Sequence, residues 1–121
     1  MFSWYDEIQK IKSWIDRNIE RELSLPQLSG YCGYSPHYLS KKFHEIEGIT
    51  LKEYILVSKI QHSAVQLIES NDRIIDIALS HGYSSQEAFT RAFMKVYGIT
   101  PWSYRRLQKP SPAAEKSRLL H

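Results

Sequence analysis

Apolar residues recur along this chain at three- and four-residue spacing, the period of a helix that buries one face. No stretch alternates at the two-residue period of a strand. Trp4, Ile8, Ile11, Ile15 and Ile19 make one such stripe, which predicts a first helix from about residue 4 to 20. Start signals then follow one another. Ser24-Leu-Pro-Gln27, Thr50-Leu-Lys-Glu53 and Ser84-Ser-Gln-Glu87 have capping-box spacing, and Ser35 and Thr100 each stand directly before a proline. In each, a side-chain oxygen can accept from an otherwise unpaired first-turn amide. Gly33, Gly48, Gly82 and Gly98 stand just past periodic segments, where helices stop. The pattern predicts seven helices, at about 4–20, 25–32, 36–47, 51–69, 74–81, 85–97 and 101–107.

Two of these segments are copies of each other. Gly33-Tyr34-Ser35, Leu39-Ser40-Lys41, Phe43 and Gly48-Ile49-Thr50 answer to Gly82-Tyr83-Ser84, Phe89-Thr90-Arg91, Phe93 and Gly98-Ile99-Thr100. The offset is 49 at the first glycine and 50 from Leu39 onward, which puts one extra residue at the start of the second helix of the later copy. Upstream, Leu25 and Leu28 answer to Ile74 and Ile77. Each unit therefore reads as short helix, Gly-aromatic-Ser turn, second helix and Gly-Ile-Thr exit. The fold class expected is all-α: seven helices forming two helix-turn-helix subdomains joined by a long linking helix. Residues 1–50 would hold the N-terminal helix and the first unit, with its recognition helix at 36–47. Residues 51–70 would be the linking helix. Residues 71–107 would hold the second unit, with its recognition helix at 85–97, and a closing helix; 108–121 would be a flexible tail.

The polar faces of the two second helices are what make the repeat chemically suggestive. With Leu39, Phe43 and Ile46 turned inward, His37, Lys41 and His44 face outward, flanked by Ser40. With Phe89, Phe93 and Val96 inward, the outward set is Glu87, Arg91 and Met94, flanked by Thr90. Ser40 superimposes on Thr90 and Lys41 on Arg91. Long cations near a helix start can donate to guanine O6 and N7 in the major groove. Hydroxyls and first-turn amides suit phosphates, which set register without reading sequence. A plain helical bundle with a solvated surface has no need of two matching polar faces in register. The function this points to is sequence-specific binding of double-stranded DNA, with the two helices in successive major grooves about 34 Å apart.

Composition changes this picture little. In 121 residues with 42% apolar and 12% aromatic content the chain can bury a modest core. A net charge of +3 is a weak pointer to an anionic partner. Its distribution is uneven: Arg105, Arg106, Lys109, Lys116 and Arg118 face Glu115 alone, so residues 101–121 carry +4 and the remainder −1. No apolar run approaches the roughly 18 residues of a membrane span, and the N-terminus lacks a signal-peptide layout, so a cytoplasmic protein is expected. The single Cys32 suits a reducing compartment and is read as a small, buried, inert residue. His44, His62, His81 and His121 show no ligand spacing, so no metal is expected and no cofactor. No Gly-rich phosphate loop or nucleophile with a recognisable base is present, so an enzyme is not expected.

The residues also resemble a known family, the DNA-binding domain of the AraC/XylS transcription regulators. The likeness runs from about Trp14 to Arg106 and is most specific in the second unit. There, Asp76-Ile77-Ala78, Gly82-Tyr83-Ser84-Ser85-Gln86, Phe89-Thr90-Arg91-Ala92-Phe93 and Gly98-Ile99-Thr100-Pro101 with Tyr104-Arg105 look like the family signature. Lys59-Ile60, Ala64 and Leu67 fit the linking helix. The chain is little longer than that domain, leaving no room for a small-molecule effector domain, and so is similar to the stand-alone members of the MarA, SoxS and Rob type. That resemblance implies a monomer on an asymmetric site, a bent duplex, and recruitment of RNA polymerase to activate promoters. Carried over residue by residue, it implies base contacts from His37, Ser40 and Lys41 in the first unit and from Gln86, Glu87, Thr90 and Arg91 in the second. Phosphate contacts would come from Ser35, Tyr38 and Ser85. This chain departs from those relatives at His37, where they have Trp, at Ser40-Lys41, where they have Gln-Arg, and at Glu87, where they have Gln. Leu56 stands where many carry Arg. The promoter sequence of those relatives is therefore not transferred.

Some residues keep two readings. Glu87 can accept from cytosine N4, or can serve as the third residue of the Ser84 capping box, which is the preferred reading. His37 can touch DNA or simply be exposed. Tyr34 and Tyr83 are read as packing residues, and Trp14 and Trp102 as core anchors. Arg105 and Arg106 can answer a helix dipole or meet phosphate. The alternative function is a protein-interaction module that binds RNA polymerase or another regulator without reading DNA.

Overall fold

The computed structural model describes residues 1–19, 23 and 25–108. Among these the chain forms seven helices and no strand: α1 (Trp4–Arg17), α2 (Leu25–Cys32), α3 (Pro36–Glu47), α4 (Leu51–Glu69), α5 (Ile74–Ser80), α6 (Gln86–Tyr97) and α7 (Pro101–Gln108). They form two compact units, Met1–Lys59 and Ile60 onward, with the boundary inside α4. The Ser24 box and the tail beyond Gln108 lie outside the described residues.

In the first unit the predicted stripe of α1 is the core. Ile8, Ile11 and Ile15 are fully buried, and Ile19 nearly so, against Leu28, Leu39, Phe43 and Leu51. The helix itself stops three residues short of expectation, at Arg17. Asn18 ends it by turning its side-chain amide back onto the Trp14 carbonyl at 2.7 Å, a local bond that competes with continuing the helix. Ile46, expected to be buried with Leu39 and Phe43, is instead 36% exposed. The last turn of α3 is held by an ion pair, Lys12 Nζ to Glu47 Oε2 at 3.3 Å.

In the second unit Ile60, Ala64 and Leu67 of α4 enter a core with Ile77, Ala78, Phe89 and Phe93. His81, also buried, ends α5 one residue before the expected boundary. Its Nδ1 lies 2.8 Å from the Ile77 carbonyl, and its Nε2 lies 2.8 Å from His62 Nδ1. A carbonyl only accepts, so His81 donates from Nδ1, and a neutral ring takes its second bond from His62.

The two turns preceding α3 and α6 explain the one-residue slip in the repeat. At the end of α2 the Gly33 amide donates to the Ser29 carbonyl at 2.9 Å, and the Ser29 hydroxyl donates to the Tyr34 carbonyl. At the end of α5, Gly82 donates to Leu79 and Tyr83 donates to Ala78, both at 3.1 Å, the paired bonds of a Schellman stop. Gly33 and Gly82 take φ of +80° and +85°, which a side chain would oppose. Ser35 then caps α3 and Ser85 caps α6. The extra residue of the second copy therefore lies in the turn, not in the helix. Both second helices have twelve residues, and α6 begins at Gln86 rather than at residue 85.

From these caps onward the offset of 50 extends further than the sequence pattern shows. Thr50 accepts from the Glu53 amide and Thr100 from the Ser103 amide, each at 3.1 Å. Tyr54 then packs on Phe43, and Tyr104 on Phe93, both with ring centroids 5.4 Å apart. The start of α4 is thus to the first unit what α7 is to the second.

Candidate nucleic-acid interface

The outer faces of α3 and α6 follow from what each helix buries. Leu39 and Phe43 point inward in α3, as Phe89 and Phe93 do in α6. One turn and a half-turn away, His37 and Lys41 are exposed and Ser40 is half-buried. At the equivalent places Glu87 and Arg91 are exposed and Thr90 is half-buried. Gln86 is exposed at the first position of α6. Each face thus presents one long cation on solvent and one hydroxyl on the shoulder of the core. His44 and Met94 continue the same faces into the third turn, both exposed. No ion pair among the described residues engages Lys41 or Arg91, so both cations remain available to an outside acceptor.

The helix starts carry the candidate phosphate groups. The Ser35 hydroxyl accepts from the Tyr38 amide at 3.3 Å, and the Ser85 hydroxyl accepts from the Ala88 amide at 3.1 Å. A hydroxyl that accepts through a lone pair keeps its own hydrogen to donate. Each serine can therefore cap its helix and bond an anion together, beside first-turn amides that favour negative charge. Tyr38 is 42% exposed and held by neighbours, with Trp4 at 5.7 Å and Lys42 Nζ at 5.9 Å from its ring.

The cap geometry changes the reading of Glu87. Because Ser85 and not Ser84 caps α6, the third residue of the box is Ala88, and Glu87 sits one place earlier. The capping-box role is removed. What remains is an exposed carboxylate in the first turn, where it complements the dipole and faces outward with Arg91.

Other residues are resolved by their neighbours. Tyr34 packs on Trp4 at 5.1 Å and Tyr83 on Phe89 at 5.5 Å, as packing residues. Trp14 stacks on Tyr31 at 5.2 Å at the edge of the first core. Trp102 is not a core anchor: it is 56% exposed, with Arg106 over its ring at 4.8 Å. Pro101 is buried beside it and Tyr104 faces Phe93, which leaves Trp102 on the outer side of α7. Arg105 answers a helix end, though not that of its own helix: its Nε donates to the Leu67 carbonyl of α4 at 2.9 Å and its Nη2 to that of Ser70 at 3.4 Å. One feature that the sequence pattern did not expose is a cavity of about 590 Å³ beside α3, with Lys41 and Lys52 among its lining. Its walls come from residues far apart in the chain, so no local spacing announces it. Among the described residues no helix is long and apolar enough to cross a membrane.

Known proteins share this arrangement. A family model described as a helix-turn-helix domain matches residues 28–107. The chain is 33% identical over 99 residues to the TetD protein of transposon Tn10 from Escherichia coli, covering 82% of this chain and 72% of that one. It is 35% identical over 100 residues to an HTH-type transcriptional regulator of Staphylococcus aureus, covering 83% of this chain but only 13% of that protein's length. Among solved structures, an AraC-type transcriptional regulator from Chromobacterium violaceum superimposes with a TM-score of 0.81 at 26% identity, over 89% of this chain and 96% of that one. The span matched by the family model begins inside α2 and takes in α3, the whole second helix-turn-helix unit and both Gly-Ile-Thr exits. The chain belongs to the AraC-type helix-turn-helix family of DNA-binding transcription regulators.

Proposed function

We propose that this regulator reads an asymmetric double-stranded site as a monomer, placing α3 and α6 in successive major grooves and recruiting RNA polymerase as an activator. The observation that carries the reading is the internal match of the two outer faces: Ser40 with Thr90 and Lys41 with Arg91, behind caps at Ser35 and Ser85. Base contacts are assigned to His37, Ser40 and Lys41 in the first unit and to Gln86, Glu87, Thr90 and Arg91 in the second. Ser35, Tyr38 and Ser85 take phosphates. Two readers in one chain supply what single-unit proteins obtain by pairing, with α4 as the link between them. Activation through RNA polymerase rests on the resemblance to stand-alone family members. The cytoplasm is the compartment assigned, because the partner is genomic DNA and the lone cysteine suits a reducing medium.

Selection of bound sequences from random duplex DNA tests this directly. The expected product is a non-palindromic site with two conserved blocks about one helical turn apart. Lys41→Ala and Arg91→Ala should each relax one block, at a cost of about 1–3 kcal/mol of discrimination. Unchanged base preference in both variants, with the fold intact, would remove α3 and α6 as readers. Binding that shows neither sequence preference nor salt dependence would favour a protein-interaction module instead.

A further inference from the structure

The cavity beside α3 lies wholly within the first unit and has the character of a small-molecule site. Its volume, about 590 Å³, falls in the range of pockets that enclose compact organic ligands, roughly 300–1,000 Å³. Leu23, Leu25, Leu51 and Ile55 supply an aliphatic floor. The rim is cationic. Lys41 enters from α3 and Lys52 from the first turn of α4, and neither takes part in an ion pair among the described residues. Among the described lining residues the one acid, Glu45, is already answered by Lys42 at 3.3 Å. His37, Ser40 and His44 complete the opening with further hydrogen-bonding groups.

We propose that this cavity binds a small organic acid with a compact apolar body, its carboxylate held between Lys41 and Lys52. Charge complementarity selects the head, since among the described residues the two ammonium groups take part in no ion pair and the lining acid, Glu45, is already paired with Lys42. The aliphatic floor selects the body, because a leucine- and isoleucine-lined hollow gains by expelling water onto an apolar surface. A nucleic-acid backbone satisfies the first demand but not the second: it is charged and hydrated at every link. The lining includes His37, Ser40 and Lys41, three residues assigned above to base contacts. An occupied cavity therefore occludes the reading face of α3. Ligand binding itself stands apart from the DNA assignment; only its consequence for DNA rests on that reading.

The test uses 4-butylbenzoate, a compact acid that does not form micelles, and its uncharged counterpart 4-butylbenzamide. Titrated into the isotope-labelled full chain and followed by NMR, the acid should bind saturably. The largest shifts should fall at Ser40, Lys41, Lys52 and Ile55, with α6 unaffected. The amide should bind at least fivefold more weakly, and Lys52→Gln, an exposed position, should weaken the acid by a similar factor. Absence of saturation, equal shifts in α6, or equal affinities for acid and amide would overturn the site. In a second arm, saturating acid should release a selected duplex. A duplex that stays bound while the NMR signals report a filled cavity would overturn the coupling to DNA and leave the site. A chain that binds the acid but no duplex would instead remove the DNA assignment of α3.

Discussion

At the scale of single residues, one hydroxyl decides how α6 begins. Ser84 and Ser85 are adjacent and chemically identical, yet only Ser85 accepts from a first-turn amide. Ser85→Ala should cost about 1 kcal/mol in a urea melt, while Ser84→Ala should stay within about 0.5 kcal/mol of the parent. Equal losses would put the cap back in doubt. Cys32 makes a second prediction. Its thiol is half-buried, and burial first and the Glu7 carboxylate second push its pKa above the ordinary value. A raised thiol pKa means less thiolate at a given pH, and thiolate is the reactive form. At pH 8 the folded protein should react with a disulfide reagent several-fold more slowly than the same chain in urea. A rate equal to the unfolded chain's would show that neither burial nor Glu7 acts on the sulfur.

At the scale of helices, what stops one element often comes from another. The C-terminal carbonyls of α4 are met by Arg105 of α7, through Leu67 and Ser70. A charged donor to half-buried carbonyls contributes about 2 kcal/mol. Arg105→Met, which keeps the length of the stem, should lower stability by that order, read in the same melt. Arg106→Met should change it little, since that side chain is exposed and lies over Trp102. The sequence left these two arginines equivalent because both stand in the last turn of one short helix. Their difference is that Arg105 reaches the end of α4 while Arg106 lies over Trp102 of its own helix. Trp102 teaches the same lesson in reverse: its size marks it for a core, but Pro101 and Tyr104 already fill the inward side of α7.

At the scale of the whole molecule, the two units are built separately around their own cores, one on Ile8, Ile11, Ile15 and Phe43 and the other on Ile60, Leu67, Phe89 and Phe93. Residues that share neither core nor partner should act independently. The losses of DNA affinity from Lys41→Ala and Arg91→Ala are therefore expected to add within about 0.5 kcal/mol in the double variant. Titrations at fixed salt would measure this, since the electrostatic part of the affinity falls steeply as salt rises. Strong non-additivity would mean that the two faces are read as one unit.

Helix count, helix positions, inward stripes and the repeat were legible in the chain, because each rests on local spacing. A 3.6-residue period marks a buried face wherever it occurs, and Ser, Thr, Pro and Gly at helix ends act through their own backbone. The outward faces of α3 and α6 were legible for the same reason, as the complement of Leu39 and Phe43 or of Phe89 and Phe93. Only the folded units decided which of two adjacent serines caps α6, that the extra residue sits in a Schellman turn, and that Arg105 reaches α4. They also decided that His81 pairs with His62, and that Leu25, Lys41 and Lys52 share a cavity. These depend on approach between segments distant in sequence, or on small energy differences between neighbouring bonds. Periodicity records which side of a helix is buried; packing alone determines what that side, and the opposite one, will meet.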